Sequence, residues 1–252
     1  MSHTHILTGR VALVTGASGS IGAEVGRTLA ALGADVAVHG RTKSVLDDLA
    51  AELRATGSAS VSYVGDVRDP DHLAATAADV ERSLGPVDIL VTLAGGDGAP
   101  APTASLDADR WRNVIDSDLN SVFFTVRAVL PAMIERGKGQ IVTVASSVGR
   151  RPSRANAAYA ASKAGVVMLT EHLAKEYAQS GIRANCVAPS IVETTKLRDR
   201  VSPPQLDAIA DHVPLGRIGR PIDVAEAIAF LVSDRSSWIT GTTLDITGGM
   251  TL

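Results

Sequence analysis

The chain has a single cysteine, Cys186, in 252 residues, so it has no internal disulfide framework and no cysteine-held metal cluster. One thiol suits a reducing cytoplasm. A basic excess is missing as well. The 24 Lys and Arg face 27 Asp and Glu, and the net charge of −3 argues against a general nucleic-acid binder, which needs a basic footprint. No apolar run approaches the ~18 residues of a membrane span. The opening MSHTHILTGR lacks the charged and apolar regions of a secretion signal. Lysine is scarce: 19 of the basic residues are Arg and five are Lys, so a Lys inside a motif stands out. Repeats, low-complexity tracts and interdomain linkers are absent too. Apolar material is plentiful, at 45% of residues against 20% charged, which supports a sizeable core and excludes a disordered chain. At ~150 residues per domain the length admits one domain or two, and the missing linker favours one over residues 1–252.

Short aliphatic or β-branched runs alternate with longer Ala/Leu-rich segments. VALVT (11–15), DVAVH (35–39), VSYVG, VDILVTLAG, QIVTVAS, IRANCVA and TTLDIT read as seven strands. Between them, helices are expected through 21–33 (apolar face Ile21, Val25, Leu29, Leu32), from Thr42 to about Arg54, after Asp69-Pro70, around 119–136, from about Ala157 to Gln179, and over 221–232. The stretch 189–220 reads as irregular and is expected to overhang a substrate. Buried strands separated by helices point to a doubly wound, Rossmann-like α/β fold: a parallel sheet of about seven strands with helices on both faces. A (β/α)₈ barrel has the same length and alternation. It gives the first strand-to-helix turn no need for small residues, and this chain has them in TGASGSIG (15–22).

In that turn, Gly16, Gly19 and Gly22 surround Ala17, Ser18 and Ser20, so a pyrophosphate can approach the free N–H groups opening the first helix. Dinucleotide sites usually have a carboxylate at the end of the second strand for the NAD ribose. Here that strand ends His39-Gly40-Arg41-Thr42. A guanidinium at that point suits the 2′-phosphate of NADP, with NAD the alternative.

Tyr159 and Lys163 are four residues apart in an expected helix and share one face. An adjacent ammonium favours an ionised phenol, so such a pair can act as an acid–base. Ser146 ends the strand QIVTVAS, and carboxyl ends of strands face the ligand crevice of an open α/β sheet. A hydroxyl there can orient a substrate carbonyl.

Together these residues resemble the short-chain dehydrogenase/reductase family over nearly the whole chain, most of all the subgroup that includes 3-oxoacyl-carrier-protein reductases. TGASGSIG resembles the family's cofactor turn, GDV (65–67) its adenine-contacting turn, and LAG (93–95) the end of its NNAG segment. Ser146, Tyr159 and Lys163 are similar to its Ser and YxxxK, VAPSIVET (187–194) to its nicotinamide segment, and WITGTTLDITGG (238–249) to its last strand. The resemblance implies an oxidoreductase that exchanges a hydride between NADP and a ketone or secondary alcohol. Tyr159 would be its acid–base, Ser146 would orient the substrate, and Lys163 would hold the nicotinamide ribose. Cofactor contacts are implied at Gly16, Ser18, Ser20, Ile21, Gly22, Arg41, Asp66, Val67, Ala94, Gly95, Tyr159, Lys163, Pro189, Val192 and Thr194. A homotetramer through helices 119–136 and 157–179 is implied as well.

Several positions depart from the family pattern. NNAG is Thr92-Leu93-Ala94-Gly95, and the family's fourth catalytic residue, an Asn, is Asp118, with Asn120 pointing elsewhere. The carrier-docking arginines of the 3-oxoacyl reductases would fall at Gly137 and Ser180. Arg150, Arg151, Arg154, Lys196, Arg198 and Arg200 leave room for an anionic substrate. The departures keep open a dinucleotide-binding sensor or partner subunit without turnover, and a dehydratase or epimerase on the same fold.

Overall fold

In the computed structural model, residues 5–251 are described; the ends of the expected 1–252 domain, residues 1–4 and Leu252, lie outside the described residues. Seven strands form one parallel sheet: β1 (Val11–Thr15), β2 (Asp35–Gly40), β3 (Ser60–Val64), β4 (Val87–Thr92), β5 (Gly139–Val144), β6 (Ile182–Pro189) and β7 (Thr243–Ile246). Their order is β3-β2-β1-β4-β5-β6-β7. The sheet is open, with β3 and β7 as edges, which excludes the barrel. The chain winds outward from β1 to β3 and then crosses back to lay β4 against the other side of β1. That reversal leaves a crevice at the carboxyl ends of β1 and β4, where open α/β sheets bind ligands.

Period-two alternation along the strands divides the core between the two faces. Ala12 and Val14 of β1 pack with Val36 and Val38 of β2. They meet the apolar sides of α1 (Ser20–Ala31), α2 (Lys43–Ala55) and α9 (Pro221–Val232), which contribute Val25, Leu29, Leu46, Leu53 and Ile228. Val11 and Leu13 point the other way, toward α3 (Pro70–Leu84), α5 (Ser121–Arg136) and α6 (Ala157–Tyr177), which supply Val80, Val126, Met133, Val166 and Leu173.

Two expectations are corrected. The helix expected from 119 starts earlier: α4 (Ala108–Ile115) passes through a π-helical turn, Asp116–Asn120, directly into α5. The sequence DSDLN has poor helix propensity, and packing of this turn against α6 overrides it. The stretch 189–220 is not wholly irregular. It holds α7 (Thr195–Arg198) and α8 (Pro203–Ala210), the latter opened by a Ser202/Gln205 capping box.

At the end of β2, His39 is fully buried, with its Nε2 3.1 Å from Nε2 of His72 on α3. Burial, reinforced by His72 and opposed by Asp66, pushes the His39 imidazolium down to about 4. The folded protein therefore binds fewer protons than the unfolded chain between about pH 4 and 6.5, so stability falls as pH drops through that window. The shift corresponds to about 3 kcal/mol. Urea unfolding at pH 7 and pH 4.5 should show a markedly smaller acid loss in His39→Gln than in the parent. Equal losses would contradict the assignment.

Candidate active site

The crevice is a cavity of about 710 Å³, within the range of small-molecule sites. Its walls combine the phosphate turn (Gly16, Ser18), the ends of β2 and β3 (Gly40, Arg41, Gly65, Asp66, Val67) and the segment after β4 (Leu93, Ala94, Gly95). A side chain at Gly16 would place its Cβ 2.7 Å from the Leu93 carbonyl carbon, and the residue's φ of +72° favours glycine. Helix α1 opens at Gly19 with no side-chain cap and no acid in its first turn, so the N–H groups around Ser20, Ile21 and Gly22 are free for an anion. Among the described residues only glycines have a positive φ, so Ser20 sits in this turn without backbone strain. This donor set fits a dinucleotide pyrophosphate. Ser20, Ile21, Gly22, Tyr159, Lys163, Pro189, Val192 and Thr194 do not line the cavity itself. Ser20 Oγ instead accepts from Thr195 N at 3.1 Å, tying the phosphate turn to α7, which Thr194 caps. Pro189 ends β6, and buried Val192 bridges Gly219.

At the outer end of the crevice, Asp66 and Arg68 line the wall together with Arg41. Arg68 grips its carboxylate through Nε and Nη2 at 2.5–3.0 Å. That hydrogen-bonded pair holds the Asp66 carboxyl down at about 2, with Arg41 adding a smaller push in the same direction. Arg41 itself forms no ion pair among the described residues.

Behind the crevice the π-turn, α6 and β5 converge. Asp118 is wholly buried and Lys163 nearly so, with Lys163 Nζ 3.7 Å from Asp118 Oδ2. Nζ also donates to the Val144 carbonyl at 3.1 Å and lies 5.7 Å from the centre of the Tyr159 ring. Asp118 accepts the Gly96 N–H with both oxygens, at 2.9 and 3.1 Å, and the Ser117 hydroxyl at 2.6 Å. Gly95 lets this happen, because a Cβ there would stand 2.5 Å from Asp118 Oδ1. Asn120 bonds Asp116 and takes no part. Tyr159, Lys163 and Asp118 are thus brought together. Ser146 ends up beside them in the chain path rather than bonded to them: its hydroxyl donates to the Pro189 carbonyl at 3.4 Å and accepts from Val148 N. Thr92, where the family has an amide, leaves its buried hydroxyl without a protein partner.

One residue that sequence reasoning missed joins the two halves. Asn156 is fully buried and caps α6, with its Oδ1 accepting from Tyr159 N at 2.9 Å. Its Nδ2 donates to the carbonyls of Asp97 and Ala99, at 2.8 and 3.0 Å. The signal was an N-cap Asn three residues before the tyrosine. Lys196 and Arg110 fasten the same loop through Gly96 O and Ala99 O. Of the six cations expected at the mouth, Arg150 pairs with Asp245, Arg198 with Glu193, and Lys196 is held by Gly96. Arg151, Arg154 and Arg200 form no ion pair among the described residues. Asn156→Ala should cost about 1–2 kcal/mol by urea unfolding, since it removes a cap together with the bonds to the half-buried Asp97 and Ala99 carbonyls. A loss below about 0.5 kcal/mol would contradict this role.

A sequence family described as enoyl-(acyl carrier protein) reductase matches residues 16–251. The 3-oxoacyl-[acyl-carrier-protein] reductase of Salmonella typhimurium is 38% identical over 242 residues, 96% of this chain and 97% of that protein. The cis-4-hydroxycyclohexanecarboxylate dehydrogenase of Sinomonas cyclohexanicum is 41% identical over 243 residues, 96% of each chain. A crystal structure of an actinorhodin polyketide ketoreductase variant with NADPH superposes with a TM-score of 0.90 at 38% identity, covering 96% of this chain and 97% of that one. With the crevice, its open phosphate turn and the Tyr159–Lys163 helix already in place, these likenesses make the chain a member of the short-chain dehydrogenase/reductase family, in the subgroup resembling 3-oxoacyl-carrier-protein reductases.

Proposed function

We propose that the protein transfers a hydride between NADP and a ketone or secondary alcohol, with Tyr159 as its acid–base. The observation that carries this reading is the cluster of Tyr159, Lys163 and Asp118 beside a crevice whose opening helix turn is free to take a pyrophosphate. When bound, the nicotinamide supplies or accepts the hydride. The Tyr159 phenol, which forms no hydrogen bond to protein among the described residues, gives its proton to the carbonyl oxygen on reduction and takes it back on oxidation. Lys163 sits beneath the ring with its ammonium fixed by Val144 and Asp118, so a positive charge stands close to the phenolate that reduction leaves and that oxidation starts from. Ser146 orients the carbonyl by exchanging its long bond to Pro189 for one to the substrate. Asp118 acts through Lys163 and Gly96 and is a positioning residue. Arg41 meets the 2′-phosphate that distinguishes NADP from NAD.

For the substrate, Gly137 and Ser180 stand where relatives acting on carrier-bound acyl groups would have docking arginines, which favours a free small-molecule carbonyl over a carrier-linked one. One buried cysteine supports a cytoplasmic setting. Among the described residues no helix is long and apolar enough to cross a membrane.

Assembly as a homotetramer is supported by two separate apolar patches. Phe123 and Met168 are exposed on α5 and α6, while Leu244 is exposed on β7 and Trp238, 99% exposed, lies in the segment that leads into it. Two independent self-complementary patches generate a closed tetramer with 222 symmetry. Sedimentation equilibrium should return four times the 26.0 kDa chain mass, and a monomer at micromolar concentration would overturn this assembly.

The functional test is Tyr159→Phe. Reduction should fall by about 10²–10⁴-fold while NADPH affinity stays within about three-fold, because the ring remains and only the transferable proton is lost. Residual turnover above a tenth would overturn the assignment. NADPH binding without turnover in the parent would favour the sensor reading.

A further inference from the structure

We propose that Arg68, clamped on Asp66, is the second guanidinium of a 2′-phosphate site whose first is Arg41. The inference deepens the NADP reading and rests on it. Arg41, Asp66 and Arg68 line the same end of the cavity, along with Gly40 and Gly65. Among the described residues Asp66 is the only carboxylate hydrogen-bonded to Arg68, and Arg41 lowers its pKa further.

The geometry separates two roles for one side chain. First, Arg68 occupies Asp66 fully: Nε reaches both carboxylate oxygens at 2.9 and 3.0 Å, Nη2 reaches Oδ2, and the Arg68 backbone N–H adds a bond to Oδ1 at 2.9 Å. A carboxylate so engaged has little capacity left to accept from a further donor, so its charge is met by Arg68. Second, the clamp fixes the guanidinium plane. Its Nη1 amine has no protein partner among the described residues, so one edge of a pre-set fork remains to meet a phosphate. Because the side chain is already ordered, a ligand meets less of the entropy cost of holding it.

Charge points the same way. Arg68 is bonded to Asp66, and Arg41 lines the same end of the crevice. With Arg68 present, the Asp66 charge is met before the cofactor arrives. Without it, the Asp66 carboxylate stands uncompensated beside the phosphate position, and a dianionic phosphate would be repelled. Arg68 thus decides whether this end of the crevice tolerates a 2′-phosphate, which Arg41 alone does not secure. Nothing in the residue's position after GDV marks it in sequence except the Asp-x-Arg spacing, and that spacing acquires meaning only because the turn points both side chains into the crevice.

Calorimetric titration with adenosine 2′,5′-diphosphate and with 5′-AMP isolates the 2′-phosphate without requiring turnover. The parent protein should prefer the diphosphate. Arg68→Ala should weaken the diphosphate by about ten-fold or more while changing 5′-AMP by less than about three-fold, as expected for one charge-assisted contact. Arg41→Ala should act in the same direction. In Asp66→Asn/Arg68→Ala the preference should partly return, because the repelling carboxylate is gone; a loss of adenine contacts there would affect both ligands and cancel in the ratio. If Arg68→Ala lowers both ligands together, Arg68 supports the adenine rather than the phosphate, and the proposal is overturned. An unchanged ratio overturns it equally. If the parent itself shows no preference for the diphosphate, the NADP reading falls and takes this inference with it.

Discussion

A carboxylate and an ammonium, both taken almost wholly out of water, face each other 3.7 Å apart at the junction of the π-turn, α6 and β5. Such a pair costs several kcal/mol in desolvation for each ion, and removing one partner leaves the other buried and uncompensated. The surroundings meet that cost with further bonds. Lys163 takes the Val144 carbonyl, and Asp118 takes the Gly96 N–H and the Ser117 hydroxyl. The π-turn carries Asp118 at full burial between α4 and α5. Through these contacts one ion pair holds the end of β5, the loop after β4 and the helix bearing Tyr159 in a single arrangement.

The loop 95–99 is where that arrangement meets the ligand. Gly95 and Gly96 have positive φ, so the loop has little stiffness of its own. Its shape is imposed from outside: Asp118 holds Gly96 N, Lys196 holds Gly96 O, and Asn156 spans Asp97 O and Ala99 O while capping the Tyr159 helix. Lys196 comes from α7, whose Thr195 is bonded to Ser20 at the phosphate turn. The crevice is therefore framed by elements far apart in sequence that are stitched together by side chain-to-backbone bonds. A preorganised frame of this kind positions donors before a substrate arrives.

Much of this was legible in the sequence where the signal is local and periodic. VALVT and DVAVH read as strands because alternating aliphatic residues must be buried on both faces, and the two cores bear that out. TGASGSIG read as a phosphate turn because only small residues allow the close approach seen at Gly16. Tyr159 and Lys163 read as a pair because helical spacing alone brings them together. The continuation of α5 back to residue 108 was not legible, because Asp116, Ser117 and Asn120 are poor helix formers and only packing against α6 makes them helical. Nor were the partners of Lys196 and Asn156, which lie 100 and 59 residues away and follow from the fold rather than from neighbours in the chain. The basic character of 150–200 was visible, but not its neutralisation: Asp245 and Glu193 absorb Arg150 and Arg198.

The dependence of the site on the buried pair is open to a direct measurement. A double-mutant cycle of Asp118→Asn and Lys163→Met, read by urea unfolding, isolates their mutual interaction from the bonds each makes elsewhere. A buried, bond-supported pair predicts an interaction energy of at least about 1 kcal/mol, with the double variant less damaged than the sum of the single ones. Additivity within about 0.3 kcal/mol would mean that the two groups are held independently, and would contradict the central place given to their pairing.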